Sequence, residues 1–207
     1  MAADAAAGEK PVPLAKLVGL LVAQCALFTA IGAGLWDVSG GDLDRFVTFE
    51  PWEFGYGLVF GAAFIAAAAA VFHGFPRLSE QLVRLQADTY RFLGPRLGWG
   101  AIVTISLAAG IGEEALLRGG VQTWLSGHVG AAGAIALASA AFAAMHMAKP
   151  VITALLLVIG IVFGVVYWQT GSLLTVMIAH ALYDVWALRY LHREMVRLGL
   201  VEDAPPG

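Results

Sequence analysis

The chain has a single cysteine, Cys25, in 207 residues. An intramolecular disulfide is therefore excluded, and so is a metal site built from several cysteines. Charge is also scarce. Asp, Glu, Lys and Arg make up 13% of the residues, where an ordinary soluble domain carries about 25%. Nor is there a surplus of positive charge: the formal net charge of −3 argues against a nucleic-acid partner. No His-Glu-x-x-His stretch occurs, which withholds the zinc motif of soluble metalloproteases. No internal repeat is strong enough to suggest an inverted-repeat transporter. What fills the chain instead is apolar. Hydrophobic residues make up 59% and mean hydropathy is +0.78, the balance of an integral membrane protein.

A helical span needs about 20 apolar residues. The first candidate is 14–35. Lys10 and Lys16 precede it as in a signal peptide, but its apolar run is longer than an h-region of about 7–15 residues, and no small-x-small cleavage site follows. It reads as a retained span, with Cys25 a packed helix residue. Residues 36–53 form an acidic loop with Asp37, Asp42, Asp44, Glu50 and Glu53. Residues 54–72 are the second span, where Ala66 to Ala70 suit close helix packing. Residues 73–98 place Leu78, Leu82, Leu85 and Phe92 at helical spacing among four arginines, which predicts an amphipathic helix along the membrane surface, ended by Gly94-Pro95. Four further spans follow at 99–125, 131–147, 151–168 and 172–191. A polar tail occupies 193–207.

The expected fold is all-α: one membrane domain over 1–207, a polytopic transmembrane bundle of about six spans plus the surface helix. Lys10, Lys16, the arginines of 73–98, Lys149, Arg189, Arg193 and Arg197 then fall on one side, so both termini are expected in the cytoplasm. The tryptophans lie mostly near span ends, as an interfacial belt does. His73, His128 and His192 sit at span ends or in loops and are expected to be solvated or interfacial. Met145 and Met147 flank His146 and read as packing residues.

Few ionisable side chains remain inside the spans: Glu113, Glu114 and Arg118 in the third, His146 in the fourth, His180 and Asp184 in the sixth. A charge at membrane depth costs roughly 2.5–3.5 kcal/mol on insertion scales, so such residues are expected to have a use. Glu114 and Arg118 are four apart and can pair on one face, as can His180 and Asp184. Glu113 lies about 100° round the helix from Glu114. The acids should therefore divide, Glu113 for proton transfer and Glu114 as a fixed anion beside Arg118. A carboxylate near imidazoles can take a proton from water. Two histidines and one or two carboxylates can also hold Zn²⁺ with a position open to water, which makes His146, His180, Asp184 and Glu113 candidate ligands. Phe142, one turn before His146, reads as the packing residue that orients it.

Glu113-Glu114-x-x-x-Arg118, Phe142-x-x-x-His146 and His180-x-x-x-Asp184 resemble, in order, the three motifs of the CPBP intramembrane proteases, the family of the CAAX prenyl endopeptidases and the Abi proteins. The resemblance covers 111–186, taken as the protease core. It implies an active site within the bilayer, open to the cytoplasm. Glu113 would activate the attacking water with His146. His180 and Asp184 would complete the site by metal ligation or by stabilising the oxyanion, and Glu114 and Arg118 would brace it. Family members often carry Asn where this chain has Asp184. The family is read both as metalloprotease and as glutamate-dependent protease, so Zn²⁺ stays an open candidate cofactor. The expected function is an intramembrane endopeptidase acting on a membrane-associated or lipidated peptide. The alternatives are a noncatalytic membrane scaffold or immunity factor of the same fold, or a proton-coupled carrier using the same acids. The Ala/Gly-rich composition suits a high-GC bacterium, hence an inner-membrane location. Peptide substrate and membrane lipid are the expected partners, and no oligomeric state is specified.

Overall fold

The computed structural model describes residues 13–90 and 97–201, all helices and turns, with no strand among them. Helix α1 runs Leu14–Val38, and a short 3-10 turn at Leu43–Arg45 leads to α2, Pro51–Gly74. Then come α3, Pro76–Tyr90, and α4, Trp99–Glu114, which continues as a π-helical segment, Ala115–Gln122. The chain ends with α5, Thr123–Met145, α6, Pro150–Thr170, and α7, Leu173–Arg197. The expected Lys10, Arg91, Phe92, Gly94-Pro95, Arg96 and the tail from Glu202 lie outside the described residues.

Four helical stretches are long and apolar enough to cross a membrane: Leu14–Val38, Pro51–Gly74, Trp99–Met145 and Pro150–Thr170. The third is two crossings. Gly130 at φ 72° breaks it, and the chain reverses there. The proof is that Arg118 stands 5.4 Å from the Phe142 ring. In one continuous helix those residues would be about 36 Å apart. The α7 helix does not reach the same apolarity because it carries His180, Asp184, Arg189 and the charged turn His192 to Arg197. It is instead the most enclosed helix of the bundle, and with it the crossings number about six.

Glycines set how close α7 is approached. A Cβ on Gly57 of α2 would stand 2.8 Å from Ile178 Cβ, and one on Gly61 would stand 3.1 Å from Ala179 Cα. The small-residue contact of α2 is therefore this Gly-x-x-x-Gly pair. The run from Ala66 to Ala70, expected to pack, is half-buried or exposed, and α2 meets α7 again beyond it, where Phe72 stacks on Trp186. On α4, a Cβ on Gly110 would stand 2.7 Å from Ala181 N of α7, and one on Gly112 would stand 2.8 Å from Cys25 Cα of α1. The turn Gly110-Ile111-Gly112 thus clamps α4 between α1 and α7 just before Glu113.

Helix α3 is amphipathic as expected, but on a rotated face. Ser79, Leu82, Val83 and Ala87 are buried, whereas Leu78 is exposed. The face is chosen by what α3 covers: Val83 and Ala87 pack on Leu191 and Met195 of α7, and the Ser79 hydroxyl bonds the Tyr190 hydroxyl at 2.7 Å. Because α7 continues to Arg197 beneath α3, His192 is buried and not solvated. Glu53, counted with the acidic loop, is also buried. It accepts from the Thr48 hydroxyl at 2.6 Å and from the Glu50 backbone N–H at 2.8 Å, closing the first turn of α2. Its own carbonyl accepts from Thr175 Oγ1 of α7 at 3.1 Å.

Candidate active site

The close approach at Gly110 brings the acids of α4 against the histidine of α7. His180 Nδ1 donates to Glu114 Oε1 at 2.8 Å. Glu114 Oε2 in turn lies 3.3 Å from Arg118 Nε, with both side chains 1% exposed. Arg118 Nη2 donates to the Gly160 carbonyl of α6 at 3.2 Å. The expected Glu114–Arg118 pair is therefore present, and Glu114 also fixes an imidazole. Because its Nδ1–H is engaged by a carboxylate, His180 presents Nε2 to the site. That nitrogen is 4.0 Å from Glu113 Oε2 and 3.6 Å from Asp184 Oδ2.

The two acids of α4 therefore have different surroundings, as their 100° offset requires. Glu114 is enclosed and paired. Glu113 is held beside His180, and among the described residues its Oε2 is buried without a hydrogen-bond partner. Such an oxygen costs free energy unless water or substrate satisfies it.

His146 arrives from α5. The expected helix through 147 stops at Met145, with His146 as its cap residue and Met147 at φ 44°. The Lys149-Pro150 stop acts sooner than the apolar pattern suggested, since α6 already begins at Pro150. His146 Nδ1 donates to the Phe142 carbonyl at 2.8 Å, so the neutral ring keeps Nε2 as its acceptor. The Phe142 ring lies edge-on to both imidazoles, with centroids 4.8 Å from His146 and 6.1 Å from His180. The ring therefore stands against both histidines. Met147 is 92% exposed and Met145 is exposed too, so neither packs as expected: the chain turns outward after His146.

Glu113, Phe142, His146, His180 and Asp184 all line one cavity of about 400 Å³. Its remaining wall is mostly apolar, from α1, α3, α6 and α7. Two residues that the motifs did not indicate stand near these groups, Tyr90 in the cavity wall and Gln122 one turn beyond Arg118. Tyr90, the last described residue of α3, lines the cavity. Burial, then the carboxylates of Asp184 and Glu113, push its phenol up to about 12, so it stays protonated. Gln122 donates from Nε2 to the Gly164 carbonyl at 2.9 Å, one turn beyond the Arg118 contact with Gly160. The sequence carried one signal for it: Glu114, Arg118 and Gln122 recur every four residues.

The fit to a metal can be judged from the donors. Among the described residues, no three His, Cys, Asp or Glu side chains are gathered closely enough to hold an ion. His180 Nδ1 and His146 Nδ1 are each taken by a hydrogen bond, and His180 Nε2 already faces two carboxylates. As placed among the described residues, the expected set His146, His180, Asp184 and Glu113 is too open for Zn²⁺.

Residues 95–186 match the model of the Rce1-like type II CAAX prenyl endopeptidase family. The match covers all three motifs and agrees with the CPBP resemblance. Over these residues the chain is similar to that family. No curated protein and no solved structure matches the chain.

Proposed function

We propose that this chain is a glutamate-dependent intramembrane endopeptidase. Glu113 takes a proton from a water held against His146 Nε2. The hydroxide oxygen bonds to the scissile carbonyl carbon. The oxyanion is met by an Nε2–H of protonated His180, whose ring Glu114 orients through Nδ1. Glu113 then passes its proton to the departing amine as the C–N bond breaks. Arg118 holds Glu114, and Glu114 holds His180. The substrate is a peptide tethered to the membrane by its own apolar or lipidated part, which the apolar wall of the cavity suits. The site opens toward the cytoplasm, with both termini on that side.

The observation that carries this reading is the contrast within one dipeptide. Glu114 Oε1 accepts from His180 and its Oε2 is ion-paired with Arg118 Nε at 3.3 Å, while Glu113 Oε2 has no hydrogen bond among the described residues and lies 4.0 Å from an oriented imidazole. The test is peptide profiling of membranes containing the wild type or Glu113→Gln, an isosteric change that removes the base. A loss of about 10²–10⁴-fold in cleavage is expected for a general base. A scaffold or immunity factor keeps its function in the variant. A carrier shows flux that depends on a proton gradient and no cleaved peptide.

A further inference from the structure

The motif residues come from α4, α5 and α7 and the segment after α4, yet one turn of α6 stands behind them. Gly160 opens that turn, and its carbonyl accepts from Arg118 Nη2 at 3.2 Å. Gly164 closes it, and its carbonyl accepts from Gln122 Nε2 at 2.9 Å. Between them Phe163 presents its ring to His180, edge-on with centroids 5.5 Å apart. The turn therefore reaches the imidazole twice. Phe163 touches it directly, and Arg118 reaches it through Glu114 and His180 Nδ1.

The two donors are four residues apart on the π-helical segment, and the two acceptors are four residues apart on α6. A lone bond from Arg118 would let α6 slide or turn about Gly160. A second bond one turn further on removes both motions. Sliding matters because it would carry Phe163 along the ring of His180 while Glu114 stayed with α4. Glycine permits the second bond: a Cβ on Gly164 would stand 2.8 Å from Gln122 Oε1, so the amide lies directly on the α6 backbone. Gln122 is buried, and among the described residues its Oε1 has no hydrogen bond. An amide with an unmet oxygen is a poor choice for packing alone, since a leucine or methionine fills the space without that penalty. What the amide adds is its donor. Gln122 also ends the π-helical segment, a backbone form that is rare and concentrated at functional sites.

Resting on the protease reading, we infer that Gln122 is a positioning residue for cleavage. It pins the end of the π-helical segment to Gly164 and so fixes the register of α6 against α4. Phe163 and Glu114, on different helices, are thereby held on the same imidazole.

The test uses the full chain in nanodiscs. Gln122→Met keeps the bulk and loses the donor. Gly164→Ala keeps Gln122 but presses a Cβ against its amide oxygen, and it carries the test if Gln122→Met does not fold. Both should lower kcat about 10–100-fold, the range for partners that orient a histidine, with KM within about twofold. Tyr167→Phe is the control. It removes the Thr123–Tyr167 hydroxyl contact at 3.1 Å, one turn further along α6, and should leave kcat unchanged. A second readout needs no turnover. The Nδ1 proton of His180, held by Glu114, gives a downfield NMR resonance, assigned by its loss in His180→Gln. That resonance should shift or broaden in Gln122→Met and Gly164→Ala and stay in place in Tyr167→Phe. Unchanged kcat in Gln122→Met or Gly164→Ala overturns the inference, as does an equal loss in Tyr167→Phe. An unmoved resonance overturns it whether or not peptide is cleaved, and makes Gln122 a packing residue. A wild type that cleaves no peptide, beside a resonance that moves as expected, sinks the protease reading alone and leaves Gln122 positioning His180.

Discussion

Glu114 links two helices through one carboxylate: Oε1 accepts from His180 Nδ1 of α7 at 2.8 Å, and Oε2 lies 3.3 Å from Arg118 Nε on its own helix. The acid is thus both the counter-ion of a buried arginine and the orienting group of an imidazole. These two roles separate in experiment.

Glu114→Gln should lose both. Leaving Arg118 as an uncompensated buried charge costs about 3–5 kcal/mol, and loosening an oriented histidine costs about 10–100-fold in activity, by analogy with outer-shell partners of metal-bound histidines. The double variant Glu114→Gln with Arg118→Met removes the charge as well. It should recover most of the thermal stability in detergent while cleavage stays low. Recovery of both together would mean that Glu114 serves Arg118 alone.

The two histidines should behave differently. His180 is buried and its loss strands Glu114 Oε1, so His180→Ala should destabilise by about 1–3 kcal/mol. Among the described residues His146 bonds only its own helix carbonyl, and it is half-buried at a helix end. His146→Ala should shift stability by less than about 1 kcal/mol and still depress cleavage. Circular-dichroism melts beside kinetic assays read both effects.

What the sequence made legible was what depends on local pattern. The apolar runs put each span within a few residues of its helix, and the four-residue spacings paired Glu114 with Arg118 and His180 with Asp184. What it hid depends on partners distant in the chain. Glu53 and His192 look like loop and span-end residues until Thr175 of α7 meets α2 and α3 covers Met195. The face of α3 followed Val83 and Ala87 because α7 lay beneath them, a choice that leucine spacing alone could not make. The π-helical segment after Glu114 left no signature in hydropathy. It is legible only beside α1, where a Cβ on Gly120 would stand 2.8 Å from Gly32 Cα.

The glycine clamp gives a prediction with a control inside one helix. Gly110→Ala puts a Cβ 2.7 Å from Ala181 N, a backbone atom that cannot turn aside, so α4 and α7 must separate. An overpacking cost of about 1–3 kcal/mol is expected, with activity falling further because Glu114 and His180 part. Gly100→Ala on the same helix meets nothing within 4 Å and should be neutral or stabilising by up to about 1 kcal/mol. Equal behaviour of the two variants would show that the close approach does not set the site.

The attachment of α3 over the cavity rests on contacts of unequal weight. Lys149 and Asp88 form an ion pair at 3.3 Å with side chains 47% and 69% exposed. Water and salt screen such a pair, and two long side chains must be ordered to make it, so Lys149→Gln should change stability by less than about 0.5 kcal/mol. The Ser79–Tyr190 bond is shorter and Ser79 is buried, so Ser79→Ala leaves the Tyr190 hydroxyl without that partner and should cost about 1 kcal/mol. Melts at 50 and 500 mM salt distinguish the two. Only the Lys149 contact should weaken with salt, and the Ser79 effect should persist. The reverse result would mean that α3 is held over the site by its charged edge and not by its buried face.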